Sequence, residues 1–266
     1  MRPVPGQLLT DEPADGVLRL TISNPAKRNA LDHPILDAIA QAVAGAQERN
    51  VRAILLTGEE GMFSSGYDIA DIADDDFEER AEALVAHPFT NAIDALDQTD
   101  LPVVAALTGH TIGGGLELAL ACDLRVAADG IRLGMPPAKL SLVYSHTGLR
   151  RFLDAIGATR TRELFLLGRH VQAPVALEWG LVNAVVPERD LADTAVEWAA
   201  ELAGNAPLSV RGNKRVLRAL LAAEGTLDPS TEEELVALRR ACFASEDFRE
   251  GVRAFAEKRP ARWRGR

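Results

Sequence analysis

The chain of 266 residues contains few cysteines and no long apolar run. Its two cysteines, Cys122 and Cys242, lie far apart and show no paired spacing, so we expect reduced thiols and no metal site. Residues 1–10 contain prolines and no apolar stretch of signal-peptide length, and the sequence nowhere has a run of about 18 apolar residues, the length of a membrane span. These absences predict a soluble cytoplasmic protein that is not associated with a membrane.

The chain also lacks an excess of positive charge. Its formal net charge of −10 at pH 7 argues against a surface for nucleic acid or for an anionic membrane. A ligand that carries phosphate must then be small and held by local donors. A chain of this length buries roughly three quarters of its unfolded surface, so we expect one large core, residues 1–200, followed by a helical C-terminal region, residues 201–266.

Residues 103–129 carry the most informative pattern, VVAALTGHTIGGGLELALACDLRVAAD. They predict an apolar strand over residues 103–107, a glycine-containing turn, a short apolar helix opened by glycines 113–115, and a second buried strand that begins near Leu124. The first N–H groups of a helix have no acceptor within it, and glycine lets a ligand approach them closely. The start of this helix is therefore a candidate site for negative charge.

Glu117 is the one acid of that short helix. It follows Gly114 by three residues, so the two residues share one side of the first helical turn. A group that binds developing negative charge, beside a group that moves protons, indicates catalysis at a carbonyl. An ordinary glycine loop followed by a helix-capping glutamate fits the same residues, and the pattern alone leaves both interpretations open.

Earlier in the chain, the sequence predicts a strand over residues 17–23, an amphipathic helix capped by Asp32, and a strand over residues 51–57. The last strand leads into a second loop of small residues, 61–69. The carboxyl ends of parallel strands meet at one edge of a sheet, so the two glycine-containing loops are expected to converge on a ligand there.

Residues 133–151 predict a shaped loop and a candidate pocket wall, and from Thr159 the chain is expected to be largely helical, with a short strand within residues 180–186. Repeated strand-loop-helix units predict a spiral α/β core rather than two equal domains. The last helices show apolar spacing at Leu235, Leu238, Cys242, Phe248, Val252 and Phe255.

Five segments, in order along nearly the whole chain, carry a family resemblance: NPAKRNALD at 24–32, FSSGYDI at 63–69, GHTIGGGLELALACDLRVAAD at 109–129, WGLVNAVVP at 179–187 and EGVRAFAEKRPARW at 250–263. They resemble the crotonase, or enoyl-CoA hydratase/isomerase, superfamily. The resemblance implies an α/β fold, a crotonase-like spiral of repeated β-β-α units with a helical C-terminal trimerisation region. It also implies a homotrimer or a dimer of trimers that acts on acyl-coenzyme A thioesters without a prosthetic group.

The resemblance also implies residue roles. The backbone N–H groups of Tyr67 and Gly114 would form the oxyanion hole that holds the thioester oxygen, in agreement with the two donor loops. The implied coenzyme A site contains Lys27, Arg28, Ala30, Ser65, Tyr67, Asp68 and Ile69. Phe255 and Lys258 match C-terminal residues that, in relatives, reach the nucleotide end from a neighbouring subunit.

One position departs from the hydratase pattern. Hydratases of the family use a second glutamate in a loop of the type G-x-P-E, and Pro137 stands at that place here. The resemblance therefore implies hydratase- or isomerase-type chemistry with Glu117 as the single carboxylate. Methylmalonyl-CoA decarboxylases of the family resemble residues 135–149, with a tyrosine at the place of Tyr144 but a histidine at that of Tyr67. A malonyl-type acyl-CoA decarboxylase that uses Tyr144 and a non-catalytic acyl-CoA binding protein are the alternatives.

Overall fold

The computed structural model describes residues 6–46, 48–59, 61–68, 88–223, 229–259 and 261–262. In chain order the strands are β1 (Gln7–Ala14), β2 (Val17–Ser23), β3 (Ala53–Gly58), β4 (Met62–Ser64), β5 (Val103–Leu107), β6 (His110–Ile112), β7 (Leu124–Ala128), β8 (Arg132–Gly134), β9 (His170–Gln172) and β10 (Ala184–Val186). The helices are α1 (His33–Ala46), α2 (Thr90–Gln98), α3 (Gly114–Leu120), α4 (His146–Leu167), α5 (Ala173–Trp179), α6 (Glu188–Gly204), α7 (Pro207–Ala223), α8 (Pro229–Ala244) and α9 (Glu246–Ala256).

Two mainly parallel sheets form the core. One has the strand order β1-β2-β3-β5-β7-β10 and the other β4-β6-β8-β9. From β3 to β8 successive strands alternate between the two sheets, with α2 and α3 each preceding a new pair, so the chain winds as a spiral of β-β-α units. The predicted α/β spiral is confirmed. All five residues of β5 are buried, as expected for a parallel strand that is covered on both faces.

A hydrogen-bonded ion pair joins the C-terminal helices to this core. Asp123 Oδ2 accepts hydrogen bonds from the Val103 backbone N–H and from Lys214 Nζ, both at 2.7 Å. Lys214, on α7, also donates to the Leu101 carbonyl at 2.9 Å. One lysine therefore ties α7 to the start of β5 and to the turn that precedes β7.

Most of the predicted elements are observed. The strands at 17–23 and 103–107 and the one from Leu124 are confirmed, and the strand expected at 51–57 runs from Ala53 to Gly58. The helix cap is also confirmed, because Asp32 Oδ1 accepts the Ile35 N–H at 3.0 Å.

Three elements differ from the predictions. Strand β1 was not predicted, because none of its eight residues is buried and five are exposed, so that its order comes from its pairing with β2. The predicted turn before α3 contains β6, a three-residue strand that exists only through its pairing with β4 and β8. Helix α4 begins at His146, inside the predicted loop, where the Ser145 hydroxyl accepts the Gly148 N–H.

The C-terminal helices return to the core of their own chain. A Cβ placed on Gly251 of α9 would lie 2.9 Å from the Leu140 carbonyl oxygen, so this helix packs closely on the segment after β8. Phe248 and Val252 are buried as predicted, whereas Phe255 is 60% exposed. The side chains of Leu235, Leu238 and Cys242 lie outside the described part of the chain. Of the helices described, none has the length and apolar character needed to cross a membrane.

Candidate active site

A cavity of about 300 Å³ opens where the loops after β2, β4, β6 and β8 meet helix α9. The structure brings most of the predicted site residues to its wall, namely Lys27, Arg28, Ala30, Ser65, Tyr67, Asp68, Gly114, Tyr144 and Phe255. Ile69 lies outside the described residues. Lys258 is exposed and is not among the described residues that line the cavity.

Backbone hydrogen bonds join the loop at residues 24–31 to the loop at residues 64–68. Leu31 N–H donates to the Gly66 carbonyl at 2.8 Å, and Asp68 N–H returns a bond to the Leu31 carbonyl at 3.1 Å. An ion pair of 2.7 Å between Lys27 Nζ and Asp68 Oδ2 closes the same contact through side chains. The two loops therefore form one rigid wall of the cavity. The Lys27 ammonium and the Asp68 carboxylate lie at the mouth of the cavity.

Asn29 holds the first of these loops in shape and was missed by the sequence reasoning. Its backbone has a φ of 54°, in the left-handed region, and its side chain is fully buried. Its Oδ1 accepts the Asn24 N–H at 2.8 Å, while its Nδ2 donates to the carbonyls of Glu59 at 2.8 Å and Met62 at 2.6 Å. Asparagine is among the few residues with a side chain that tolerate this φ. The asparagine at this position was therefore the one feature of the sequence that indicated a left-handed turn.

The Asn29→Leu substitution is expected to lower the free energy of unfolding by about 2–5 kcal/mol, because it leaves the buried Asn24 N–H without its acceptor and removes the hydrogen bonds to the partly buried Glu59 and Met62 carbonyls. Urea denaturation measures the change. The Asn29→Gly substitution accepts the left-handed φ but removes the same hydrogen bonds, so its loss of unfolding free energy should lie in the same range. Asn205→Leu, at an exposed position, should change stability by less than about 0.5 kcal/mol. Equal stability of wild type and both Asn29 variants would refute this role.

Close backbone packing brings the second and third loops together. Gly66 has a φ of 96°, and a Cβ there would lie 3.0 Å from the Ile112 carbonyl oxygen and 3.3 Å from Gly114 N. A Cβ on Gly115 would lie 2.6 Å from the Ser64 Cβ. These glycines thus allow the residues around Tyr67 to meet the first turn of α3, where Gly114 carries an N–H without an acceptor inside the helix.

Glu117 lies behind Tyr144 as seen from the cavity. Its side chain is buried, with 4% of the residue exposed, and it is not among the described residues that line the cavity. Tyr144 does line the cavity, and its hydroxyl donates a hydrogen bond to Glu117 Oε2. The phenol therefore separates the carboxyl group from the space that a substrate would occupy.

Burial sets the protonation of both groups. It raises the pKa of the Glu117 carboxyl, an effect that the Tyr144 hydrogen bond and the Arg151 charge oppose in part. Burial, together with the Glu117 charge, also raises the pKa of the Tyr144 hydroxyl well above its usual value. Tyr144 therefore remains a protonated donor at neutral pH, and the Glu117 carboxyl is protonated more readily than that of an exposed glutamate.

The start of helix α4 positions this pair. A Cβ on Gly148 would lie 2.5 Å from a Tyr144 ring carbon and 2.9 Å from Glu117 Oε1, so only glycine leaves room for both side chains there. The Tyr144 ring stacks edge-on against Phe165, with ring centroids 5.4 Å apart. Gly148 was also missed by the sequence reasoning, because nothing in its neighbourhood marks it as a contact with a residue 31 positions earlier.

The wall formed by the segment after β8 is apolar. Met135, Pro136, Pro137, Leu142 and Val143 all line the cavity, so the position of the second family glutamate presents a proline ring. Phe255 lines the cavity of its own chain. The described residues contain no group of three or more His, Cys, Asp or Glu side chains arranged to hold a metal ion.

Comparison with known proteins agrees with this architecture. A family model described as Enoyl-CoA hydratase/isomerase matches residues 12–266. The chain is 34% identical over 253 residues to a probable enoyl-CoA hydratase, echA6, of Mycobacterium tuberculosis, which covers 95% of this chain and 97% of the relative. It is 33% identical over 259 residues to a carnitinyl-CoA dehydratase of Salmonella enteritidis, which covers 94% of this chain and 95% of the relative.

The solved structures include a methylmalonyl-CoA decarboxylase in complex with 2-nitronate-propionyl-CoA. It superposes with a TM-score of 0.87 at 26% identity and covers 98% of this chain and 99% of its own. The family match extends over nearly the whole sequence, and both sequence relatives carry enzyme names of the same family. The chain is therefore an enzyme that belongs to the enoyl-CoA hydratase/isomerase family, the crotonase superfamily.

Proposed function

We propose that the protein binds an acyl-CoA thioester with a malonyl-type acyl group and removes its carboxylate as carbon dioxide. In this step the bond between the α-carbon and the carboxylate breaks, and its electron pair moves into the thioester carbonyl to form an enolate. The N–H groups of Tyr67 and Gly114 would hold the enolate oxygen. One such fixed donor stabilises a transition state by about 3–4 kcal/mol.

The observation that carries this proposal is the position of Tyr144 between Glu117 and the cavity. Hydration and isomerisation begin with a base or a bound water that reaches the substrate, and the buried Glu117 is screened from it. Decarboxylation needs no base, because the departing carbon dioxide leaves the electron pair behind. The apolar wall around Pro137 favours this reaction further, since a carboxylate is less stable beside apolar groups than neutral carbon dioxide is.

The enolate then needs a proton at its α-carbon. The Tyr144 hydroxyl, which its raised pKa keeps protonated, supplies that proton, and a protonated Glu117 carboxyl returns one to the phenol oxygen. Glu117 receives its proton in turn from solvent. One proton is consumed in each turnover, which balances the carboxylate that leaves as a neutral molecule.

The coenzyme A portion would lie along the wall formed by Lys27, Arg28, Ala30, Ser65 and Asp68, with Ile69 beyond the described residues. The Lys27–Asp68 pair keeps the lysine charge at the mouth of the cavity. Phe255 would contact the same portion from its own chain. No prosthetic group is part of this proposal, because the oxyanion donors and the phenol supply each step.

We also infer a homotrimer or a dimer of trimers, assembled through the C-terminal region, residues 201–266. Helix α7 supports this, because Val216, Leu217 and Leu221 are each more than half exposed in the single chain. Apolar side chains grouped on one helix face are typical of a surface that another protein covers. Lys258, which is exposed on the single chain, would approach coenzyme A only in such an assembly.

Mass spectrometry of the wild-type protein with methylmalonyl-CoA, malonyl-CoA and short enoyl-CoA thioesters tests the proposal. We expect loss of carbon dioxide from a malonyl-type thioester and no change in the enoyl-CoA thioesters. Addition of water or a shift of the double bond, without any carbon dioxide release, would refute decarboxylation.

Hydratase- or isomerase-type proton transfer by Glu117 is the second candidate. The relatives named as hydratase and dehydratase are 33–34% identical to this chain, against 26% for the decarboxylase structure. The raised pKa of Glu117 also suits a carboxyl that takes up and releases protons near neutral pH. This candidate requires Tyr144 to move aside so that Glu117 reaches the substrate.

A further inference from the structure

The Tyr67 side chain lies across the part of the cavity where an acyl group would extend. A Cβ placed on Gly114 would lie 3.0 Å from the Tyr67 Cζ and 3.1 Å from its Cε2, so the far end of the ring covers the first turn of α3. The ring also meets Phe89 edge-on, with centroids 4.6 Å apart and planes at 73°. Because Phe89 is itself buried, the ring is held from two sides and has a fixed place.

Tyr67 and Tyr144 close this end of the cavity together. Both rings line it, and each stacks edge-on against a buried phenylalanine, Phe89 for Tyr67 and Phe165 for Tyr144. The main chain at Tyr67 is fixed as well, because Leu31 pairs with it and Asp68 N–H donates to the Leu31 carbonyl. A substrate therefore has little room to displace the ring by moving the loop.

From this geometry we infer that the Tyr67 ring limits the length of the acyl group and so confines the substrates to short acyl chains. The inference rests on the proposed binding of a thioester oxygen near Gly114, which directs the carbons beyond the carbonyl towards the ring. Because the ring already lies against Gly114, the space left for carbons beyond the carbonyl is short. A longer chain meets the ring edge and the Phe89 wall behind it.

Calorimetric titration with saturated acyl-CoA thioesters tests this inference by binding alone, because these ligands have neither a carboxylate to lose nor a double bond to move. Propionyl-CoA and octanoyl-CoA are compared in the wild type and in Tyr67→Ala. We expect the wild type to prefer propionyl-CoA. In Tyr67→Ala the ratio of octanoyl-CoA to propionyl-CoA affinity should rise at least about tenfold, the effect of burying roughly two further methylene groups.

Tyr67→Phe is the matched control, since it keeps the ring and removes only the hydroxyl, and it should keep the wild-type preference. Tyr67→Leu provides a second test if the alanine variant does not fold, because it lacks the far end of the ring that covers Gly114. An unchanged affinity ratio in the folded Ala or Leu variant would overturn the inference while leaving the proposed function intact. Failure of the wild type to bind any acyl-CoA would overturn both.

Discussion

The Tyr144→Phe substitution is expected to lower kcat for carbon dioxide release by about 100-fold or more. It removes the hydroxyl that donates to Glu117, but keeps the ring that stacks on Phe165. Without a proton donor at the α-carbon, the enolate recombines with carbon dioxide more often than it forms product. Coupled detection of released carbon dioxide measures kcat, and titration with propionyl-CoA measures binding.

Binding serves as the internal control for this variant. The affinity for propionyl-CoA should stay within about threefold of the wild type, because the oxyanion loops and the coenzyme A wall are unchanged. A kcat within about threefold of the wild type would show that Tyr144 donates no proton in the slow step. A parallel loss of binding would show instead that the hydroxyl shapes the cavity.

The Gly66→Ala substitution is expected to lower kcat by about 100- to 1,000-fold, the usual effect of losing one oxyanion-hole donor. The added methyl group would lie 3.0 Å from the Ile112 carbonyl and 3.3 Å from Gly114 N, at a φ of 96° that side chains rarely adopt. The two loops must then separate, which moves the Tyr67 and Gly114 N–H groups apart. Steady-state kinetics with a malonyl-type thioester gives the change.

Gly130→Ala is the matched control for this variant. Gly130 also has a positive φ, 75°, but a Cβ there would meet no atom within 4 Å, so the variant carries backbone strain without a contact at the site. It should lose stability by about 1–2 kcal/mol and keep its kcat. If Gly66→Ala kept the wild-type kcat, or if both variants lost activity equally, the loops at 64–68 and 113–115 would not hold the reacting oxygen.

The central part of the fold could be predicted because its signals are local. The uninterrupted apolar run of β5 and the glycines at the start of α3 each mark an element within a few residues. The loops at 61–69 and 113–115 could be paired because parallel strands end at one edge of a sheet, and the family resemblance then pointed to Tyr67 and Gly114, 47 positions apart, within them. The structure brings both to one cavity, as expected.

The features that sequence reasoning missed depend on contacts between distant residues. Strand β6 is three residues long and is ordered by the strands that pair with it. The role of Asn29 depends on hydrogen bonds to carbonyls 30 and 33 positions away along the chain. The screening of Glu117 by Tyr144 has no local signature, because it depends on where helix α4 places its first turn. The fold of α9 over its own chain likewise follows from packing on Leu140.

The most direct test of the account compares carbon dioxide release from methylmalonyl-CoA by the wild type and by Glu117→Gln. Glutamine keeps the size of the side chain and an oxygen that accepts the Tyr144 hydrogen bond, but it cannot act as a base. Because the bond to carbon dioxide breaks without a base, the account predicts release by both proteins, with the variant slower because glutamine cannot return a proton to Tyr144. Water addition or a double-bond shift in the wild type that disappears in Glu117→Gln, with no carbon dioxide from either protein, would contradict it.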